Sequence, residues 1–365
     1  MKQKRIYCDY NATTPIHKDV KLSFKKALDV YGNPSSLYLT GRHAKEELES
    51  SRETLAHLIN SNSDQILFCS SGTEANNQVL NHFIAEKVIK NKPIHILASA
   101  IEHSSILYTL EYLKQFSIEY DLIPVDSNGL IKLDAFKKLF RKNTALVTIM
   151  YANNEIGTIQ DIQQLAKITH DFGCLFHCDA VQALGKLAVD VKALDVDFMS
   201  FSSHKIYAPK GCGALYIKNE DQVSNLIHGG YQERGLRAST ENIPGIIAFR
   251  KALELIDLVK FKDHLSSLST IFLDHLYDLE NIKINSTSKG LINTFNISFP
   301  GCNGQALAMN CDLEGIDLST GSACSVGSIE PSHVLSAIGL SDELNKSSLR
   351  ISFGLNTTSD DVIYV

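Results

Sequence analysis

Short apolar runs alternate with longer segments of helical periodicity over the first two thirds of the chain. The runs that predict buried strands cover residues 65–69, 94–99, 118–125, 145–150 and 175–179. Between them, residues 41–60, 74–90 and 162–172 carry apolar side chains at the spacing of one helix face. Strands that alternate with helices predict an α/β fold, in which a mostly parallel sheet is covered by helices on both faces.

The pattern changes after about residue 245. A helical stretch over residues 246–279 leads to a strand over residues 294–299, a helix near residues 305–313 and a glycine-serine loop over residues 319–328. We interpret this part as a smaller α+β domain. The predicted boundaries are 14–255 for the large domain, and 1–13 with 256–365 for the small domain.

The composition is that of an ordinary globular protein, and the formal net charge of -6 argues against nucleic-acid binding as the main function. No apolar run approaches membrane-spanning length. The basic N-terminus reaches Asp9 before any hydrophobic segment, which argues against a signal peptide. Eight scattered cysteines without a CxxC pair are typical of reduced thiols. We therefore expect a cytoplasmic protein without a metal site.

Lys205 follows an apolar run, in the segment Ser202-Ser203-His204-Lys205, before Pro209 and two glycines impose a loop. A partly desolvated lysine at the edge of a sheet is suited to forming a Schiff base with an aldehyde. The neighbouring hydroxyls and His204 are suited to binding a phosphate on the same molecule. This combination indicates pyridoxal 5'-phosphate (PLP), which also needs an acidic partner for its pyridine nitrogen. A solvated surface lysine is the ordinary alternative.

Two further strand ends supply groups that PLP requires. Ser71-Gly72-Thr73 joins a strand to the start of a helix, where free backbone N–H groups and the helix dipole favour a phosphate. Asp179 ends a buried strand, where its charge needs a partner such as a pyridinium nitrogen. Gln182 follows within reach of the phenolic oxygen of the ring. A simple helix cap is the alternative for both Ser71-Gly72-Thr73 and Asp179.

Four more side chains extend the candidate site. His103 follows a strand and is placed to stack on a ring or to shuttle a proton. Asn154 follows the next strand and is placed to hydrogen-bond the ring oxygen. Cys324 lies among very small residues, which suits a mobile thiolate, and Arg350 is suited to clamping a carboxylate. Taken singly, each has a structural alternative: a surface or core histidine, a turn, an incidental cysteine and an ion pair.

Taken together and in chain order, these residues resemble the NifS-like cysteine desulfurases, which are PLP enzymes of the aspartate-aminotransferase fold (PLP fold type I). The matching motifs span nearly the whole chain. They are Asp9-Tyr10-Asn11-Ala12-Thr13-Thr14-Pro15, Ser71-Gly72-Thr73-Glu74-Ala75-Asn76-Asn77, Asn153-Asn154-Glu155-Ile156-Gly157-Thr158, Asp179-Ala180-Val181-Gln182, Ser203-His204-Lys205, Pro209-Lys210-Gly211, Gly229-Gly230-Tyr231-Gln232-Glu233, Ser239-Thr240-Glu241-Asn242 and Gly321-Ser322-Ala323-Cys324-Ser325.

The resemblance implies a role for each candidate residue. The residues that would bind PLP are Lys205, Thr73, His103, Asn154, Asp179, Gln182, Ser202, His204 and Thr240. Thr240 would reach the phosphate of the neighbouring subunit, which implies a homodimer. Arg350, with Asn33 or Asn154, would hold the carboxylate of the substrate.

The reaction that the resemblance implies is the conversion of L-cysteine to L-alanine. Cys324 would accept the sulfur as a persulfide, while Lys205 and His103 carry protons. The sulfur would then pass to an acceptor protein, for iron–sulfur cluster assembly or tRNA thiolation. No direct contact with nucleic acid or membrane is expected.

Two other functions fit parts of the same pattern. Another PLP enzyme of this fold is the first, although an aminotransferase needs no thiol, whereas a selenocysteine lyase stays open. A non-catalytic binding protein is the second, and the presence of the lysine, aspartate, histidine, arginine and cysteine together argues against it. One departure from the family pattern concerns the backbone, because Ala238-Ser239 stands where Ser-Gly is usual before Thr240.

Overall fold

The computed structural model describes residues 5–277, 279–320 and 331–365. The strands are β1 (Ile6–Tyr7), β2 (Ile66–Cys69), β3 (His95–Ser99), β4 (Glu119–Ile123), β5 (Thr144–Thr148), β6 (Leu175–Asp179), β7 (Phe198–Ser202), β8 (Gly213–Ile217), β9 (Lys283–Ile284), β10 (Thr294–Ser298), β11 (Ile316–Asp317) and β12 (Ser348–Ser352). The helices are α1 (Lys18–Ala27), α2 (Leu39–Leu58), α3 (Gly72–Lys90), α4 (Ser104–Leu113), α5 (Leu133–Leu139), α6 (Ile162–Asp171), α7 (Val191–Leu194), α8 (Ile243–Glu254), α9 (Leu258–Leu276), α10 (Gly304–Leu313), α11 (His333–Ala337), α12 (Asp342–Lys346) and α13 (Ser359–Tyr364).

A seven-stranded sheet forms the centre of the described structure, in the order β2-β8-β7-β6-β5-β3-β4. Its neighbouring strands pair in parallel from β7 through β4. Only β8 reverses direction within this sheet, since it is antiparallel to both β2 and β7. The predicted strands fall on β2 to β6, and the predicted α/β fold with a mostly parallel sheet is confirmed.

Alternation of side chains along the strands builds one core on each face of this sheet. Ile96 and Phe198 pack on the face covered by α3 and α4, whereas their chain neighbours Leu97 and Met199 pack on the opposite face with α2 and α8. All four side chains are buried. The sheet is therefore closed on both faces, and polar side chains that function must lie at its edges or strand ends.

The second part of the chain carries an antiparallel sheet, β12-β10-β9, and a parallel pair, β1-β11. Helix α9 packs there through Phe272, whose ring centroid lies 4.8 Å from that of Phe295 and 5.2 Å from that of Phe353. Strand β1 pairs with β11 through Ile6 and Ile316. The N-terminal residues thus lie beside the C-terminal region, although the boundaries given above stay a prediction.

The single helical stretch predicted over residues 246–279 is wrong. The structure has two helices, α8 and α9, separated by residues 255–257. Asp257 leaves the helical conformation at φ -132°, and its carboxylate accepts a hydrogen bond from the Lys260 N–H at 3.0 Å. An aspartate in this position begins a new helix, and the apolar periodicity continues through the break and conceals it.

Candidate active site

A cavity of about 220 Å³ opens at the carboxyl ends of the central strands. Asp179 ends β6, Ser202 ends β7, and the turn after β2 leads into α3 at the same edge. The predicted cofactor residues that line this cavity are Thr73, His103, Asn154, Asp179, Gln182, Ser202, His204 and Lys205, and Arg350 lines it as well. The strand ends therefore bring together residues that are far apart in the sequence, as a parallel sheet requires.

Lys205 lies on a short 3-10 turn, Ser203–Lys205, directly after β7. Its ammonium group donates hydrogen bonds to the carbonyl oxygens of Asn11 at 2.6 Å and Ala12 at 2.7 Å. The turn is also held by the Ser203 hydroxyl, which donates a hydrogen bond to the carbonyl oxygen of Pro209 at 2.5 Å. The amine is thus held at the wall of the cavity by two backbone carbonyls.

The start of α3 provides an anion site. Ser71 caps the helix, with its hydroxyl accepting a hydrogen bond from the Glu74 N–H at 3.1 Å. A Cβ added at Gly72 would lie 2.6 Å from Cγ2 of Val181, so only glycine fits at this point of the cavity wall. The remaining free N–H groups of the first turn are donors for a phosphate.

His204 completes this polar wall in a neutral state. Burial, together with the charges of Lys205 and Lys210, lowers the pKa of His204 to about 4. Its Nδ1 lies 3.1 Å from the Thr13 hydroxyl, so the ring is held from the N-terminal segment. At neutral pH the ring is a hydrogen-bonding group without a charge.

Asp179 is almost completely buried, at 5% exposure, and both carboxylate oxygens already accept a hydrogen bond. Oδ2 accepts from Nδ2 of Asn76 at 2.7 Å, and Oδ1 accepts from the Val181 N–H at 3.0 Å. A buried carboxylate is suited to pairing with a cationic group, and a pyridinium nitrogen would be such a partner. The buried carboxylate of Asp179 therefore fits the pyridine nitrogen of PLP.

His103 caps α4, and its Nδ1 accepts a hydrogen bond from the Ser105 N–H at 3.1 Å. The preceding residue, Glu102, is fully buried, and its Oε1 accepts from the Met150 N–H at 2.7 Å. Burial raises the pKa of Glu102 well above its usual value, which favours the neutral acid. These two hydrogen bonds, one partly buried and one buried, therefore fix the turn that carries His103.

Arg350 is 1% exposed and lies on β12, the strand of the second region that faces the cavity. Its Nη2 donates to Oδ1 of Asp9 at 2.5 Å, and its Nη1 donates to the carbonyl oxygen of Asn154 at 3.2 Å. Its Nε is buried and has no hydrogen-bond partner among the described residues. The guanidinium is thus held in place while part of its donor capacity stays unused.

Gln182 belongs to a buried polar cluster beside Lys205. Its Nε2 donates to the carbonyl oxygen of Asn11 at 2.8 Å, and its Oε1 accepts from the ammonium of Lys186 at 2.5 Å. The Lys186 ammonium also donates to Oδ1 of Asn11 at 3.0 Å. Burial lowers the pKa of Lys186 well below its usual value, and the charges of Lys205 and Arg350 act in the same direction.

Three predicted residues lie outside this cavity or outside the described structure. Asn33 is exposed, and its side chain accepts a hydrogen bond from the Ser35 N–H at 2.9 Å. Thr240 is also exposed, at a separate cavity formed with Ser239 and Arg237. Cys324 lies outside the described residues. The roles of all three stay predictions.

Sequence reasoning missed four residues that organise the cavity. Asn11, Asn76 and Lys186 hold predicted site residues through the bonds given above, and Asp9 pairs with Arg350. Asp9, Asn11 and Asn76 fall inside two of the motifs quoted above, which was the only signal available. No sequence motif indicated Lys186, because its partners are Asn11 in a distant segment and Gln182 four residues earlier.

The sequence profile described as Aminotransferase class-V matches residues 6–365 of the chain. The chain belongs to this family. Among its relatives, "Cysteine desulfurase IscS" of Dictyoglomus turgidum is 42% identical over 367 residues, which cover 99% of this chain and 93% of that protein. The resemblance to cysteine desulfurases is therefore confirmed.

Solved structures of other proteins agree with the fold. One described as "NIFS-LIKE PROTEIN" superposes with a TM-score of 0.92 at 36% identity, covering 99% of this chain and 96% of that one. Another, described as "SspA in complex with cysteine", gives a TM-score of 0.86 at 32% identity and covers 96% of this chain and 99% of that one. The predicted PLP fold type I is confirmed by these likenesses.

Proposed function

We propose that this chain is a PLP-dependent cysteine desulfurase, which converts L-cysteine to L-alanine and takes the sulfur onto Cys324. The observation that carries the proposal is the convergence of Lys205, Asp179, His103 and Arg350 on one cavity. A class-V chain with cysteine desulfurases among its relatives over nearly its full length supports the same reaction.

The residues at the cavity fit PLP. Its phosphate would lie at the first turn of α3, against Thr73, Ser202 and His204, since these donors are neutral and surround a helix N-terminus. Asp179 would hold the pyridine nitrogen, and His103 would stack on the ring. When bound, PLP supplies an aldehyde that condenses with amines and a ring that accepts electrons from the adjacent carbon.

Asn154 and Gln182 would adjust the ring from its other edge. Gln182 would reach the phenolic oxygen with its amide, which Lys186 and Asn11 orient. The Asn154 carbonyl oxygen already accepts from Arg350, so this segment links the ring to the substrate carboxylate.

Arg350 would bind the carboxylate of L-cysteine through the part of its guanidinium that lines the cavity. A guanidinium presents donors in a fixed fork, and Asp9 holds one side of that fork in place. Asn33 is a second candidate for this carboxylate, from an exposed position. Substrate is then oriented between a fixed cation and the amine of Lys205.

Lys205 and His103 would move the protons. The Lys205 amine accepts a proton from the carbon next to the substrate amino group, and it is positioned for this by two backbone carbonyls. The thiolate of Cys324 attacks the substrate sulfur, so that an S–S bond forms and the C–S bond breaks. The electron pair of the C–S bond stays with the three-carbon product, which leaves as alanine after protonation.

We further propose a homodimer in the cytoplasm. Tyr31, Leu37 and Leu39 are 81%, 88% and 73% exposed, which is an unusual amount of apolar surface for one short segment. Thr240 is exposed and would reach the phosphate of the neighbouring subunit. The seven described cysteines are all free, and no described helix is long and apolar enough to cross a membrane.

The persulfide would pass to an acceptor protein, either a scaffold for iron–sulfur clusters or a protein of tRNA thiolation. The division into a large domain (14–255) and a small domain (1–13 and 256–365) is part of the same proposal, because Arg350 and Cys324 would come from the small domain.

Mass spectrometry of the protein after incubation with PLP and L-cysteine tests this function. We expect the peptide with Cys324 to gain one sulfur atom, and the peptide with the exposed Cys302 to gain none. Lys205→Ala should abolish the gain. Protein that takes up PLP but forms no persulfide on Cys324 would contradict the proposal.

A further inference from the structure

Asn76, the fifth residue of α3, is 1% exposed and lines the candidate cavity. Its Nδ2 donates two hydrogen bonds, one to Oδ2 of Asp179 at 2.7 Å and one to the Ser105 hydroxyl at 2.9 Å. We propose that Asn76 is a positioning residue, which joins Asp179 and His103 into one hydrogen-bonded chain through Ser105. The inference rests on the proposed function, because it concerns the two groups that would contact the PLP ring.

The orientation of the Asn76 amide supports this role. Its Oδ1 is buried and has no hydrogen-bond partner within the described residues. A buried acceptor without a partner is unfavourable, yet the opposite orientation would aim this oxygen at the carboxylate of Asp179. The amide therefore satisfies its two acceptors with both N–H groups and leaves its own oxygen unpaired.

The hydrogen bonds from Ser105 fix the tautomer of His103. The Ser105 hydroxyl accepts from Asn76, so its own hydrogen is left to bond Nδ1 of His103 at 2.9 Å. The Ser105 N–H donates to the same Nδ1 at 3.1 Å. A nitrogen that accepts from a backbone N–H carries no proton, and the neutral ring of His103 therefore carries its proton on Nε2.

Hydrogen bonds from Asn76 and Val181 also orient the carboxylate of Asp179. Asn76 donates to one oxygen and the Val181 N–H donates to the other, so the plane of the carboxylate is fixed at the end of β6. A carboxylate that pairs with a pyridine nitrogen depends on such support. One buried amide thus helps to orient Asp179 directly and supports His103 through the Ser105 hydroxyl, beside the bond from the Ser105 N–H.

Asn76→Ala tests the inference, with Asn77→Ala as the matched control. Asn77 lies next to Asn76 on α3, but it bonds the Thr73 carbonyl oxygen at 2.9 Å and the Thr109 hydroxyl at 3.0 Å instead. Each variant would be loaded with PLP labelled with ¹⁵N at the pyridine nitrogen. The readouts are the ¹⁵N chemical shift, which reports protonation of that nitrogen, and the separate values of kcat and KM for L-cysteine.

We expect Asn76→Ala to move the ¹⁵N signal towards that of unprotonated pyridine. Its kcat should fall by roughly ten- to a hundredfold, as for loss of a hydrogen bond to a charged group, while KM stays within about twofold. Asn77→Ala should match the wild type in all three values. An Asn76→Ala protein with the wild-type signal and kcat would overturn the inference.

Ser105→Ala keeps the inference testable if Asn76→Ala does not fold. This change removes the hydroxyl between Asn76 and His103 and leaves the Ser105 N–H on Nδ1, so we expect a lower kcat without a change in the ¹⁵N signal. An unchanged kcat in Ser105→Ala would contradict the proposed link from Asn76 to His103 through Ser105. Wild-type protein that binds no PLP or releases no alanine would instead refute the proposed function, and the inference would fall with it.

Discussion

The ion pair between Arg52 of α2 and Glu233 leads to the sharpest stability prediction. Both side chains are buried, at 3% and 2% exposure. Nη2 of Arg52 lies 2.6 Å from Oε1 of Glu233, and Nη1 lies 2.8 Å from Oε2. The same Oε2 accepts a hydrogen bond from the Phe68 N–H at 2.8 Å. The pair therefore ties the segment that precedes Thr240 to strand β2.

Arg52→Met keeps most of the volume but leaves the Glu233 carboxylate buried with one hydrogen bond. Breaking a buried ion pair from one side costs about 3–5 kcal/mol, because the remaining charge is uncompensated. Arg52→Met/Glu233→Met removes both charges, and we expect it to recover about 2 kcal/mol of that loss. The Phe68 N–H then lacks an acceptor, so recovery is incomplete.

Urea unfolding measures these free energies, at one fixed protein concentration because the protein is proposed to be a dimer. Arg141→Met is the matched control, since Arg141 pairs with Glu119 and Asp121 at 41% exposure. An exposed pair contributes about 0–1 kcal/mol. The reasoning is refuted if Arg52→Met lowers the free energy of unfolding by no more than Arg141→Met does. It is also refuted if the double variant loses as much free energy of unfolding as Arg52→Met and Glu233→Met added together.

Three further predictions follow from particular positions. Ser239 has a φ of 92° where the family pattern has glycine, so Ser239→Gly should raise the free energy of unfolding in urea by about 1 kcal/mol. The control Ser35→Gly, at a position where φ is not positive, should lower it by about 0.5–1 kcal/mol. Gly72→Ala places a Cβ 2.6 Å from Val181 and should weaken PLP binding by roughly tenfold or more in an absorbance titration, with unchanged PLP affinity as the contrary result. Burial lowers the pKa of His177 to about 3, so below pH 6.5 the unfolded chain binds a proton that the folded chain does not, and stability falls as pH drops. His177→Gln should reduce that slope by about 1.4 kcal/mol per pH unit between pH 6.5 and 4, and an unchanged slope would exclude His177 as its source.

The residues at strand ends could be predicted from the sequence, because the pattern that predicts a strand also locates its end. Asp179 and Ser202 end two buried strands that pair in parallel, so their side chains meet at one edge of the sheet. The same logic placed His103 and Lys205 near them. Periodicity and the polarity of the following residue were sufficient for these positions.

The supporting residues could not be predicted in the same way. Asn11 contacts the Asn154 carbonyl oxygen at 3.1 Å and the Thr294 hydroxyl at 2.8 Å, and it also holds Lys205 and Gln182. These partners come from four distant segments, and their meeting depends on how the two sheets pack. An asparagine after a short strand is equally typical of a turn.

The break between α8 and α9 shows a limit of periodicity itself. Leu253, Phe261 and Leu265 are all buried, so apolar spacing continues across residues 255–257. Only Asp257 marks the new helix, and an aspartate within a polar helix face gives the same local sequence. The structure was needed to decide between a cap and a surface residue.

Release of alanine and sulfide from L-cysteine, in the presence of a reductant, tests the central claim most directly. The PLP-loaded wild type would be compared with Cys324→Ala and with Cys302→Ala, which removes an exposed free thiol elsewhere. We predict alanine release by the wild type and by Cys302→Ala, and none above background by Cys324→Ala. PLP-loaded wild type that releases no alanine would contradict the account, and so would Cys324→Ala that releases it at the wild-type rate.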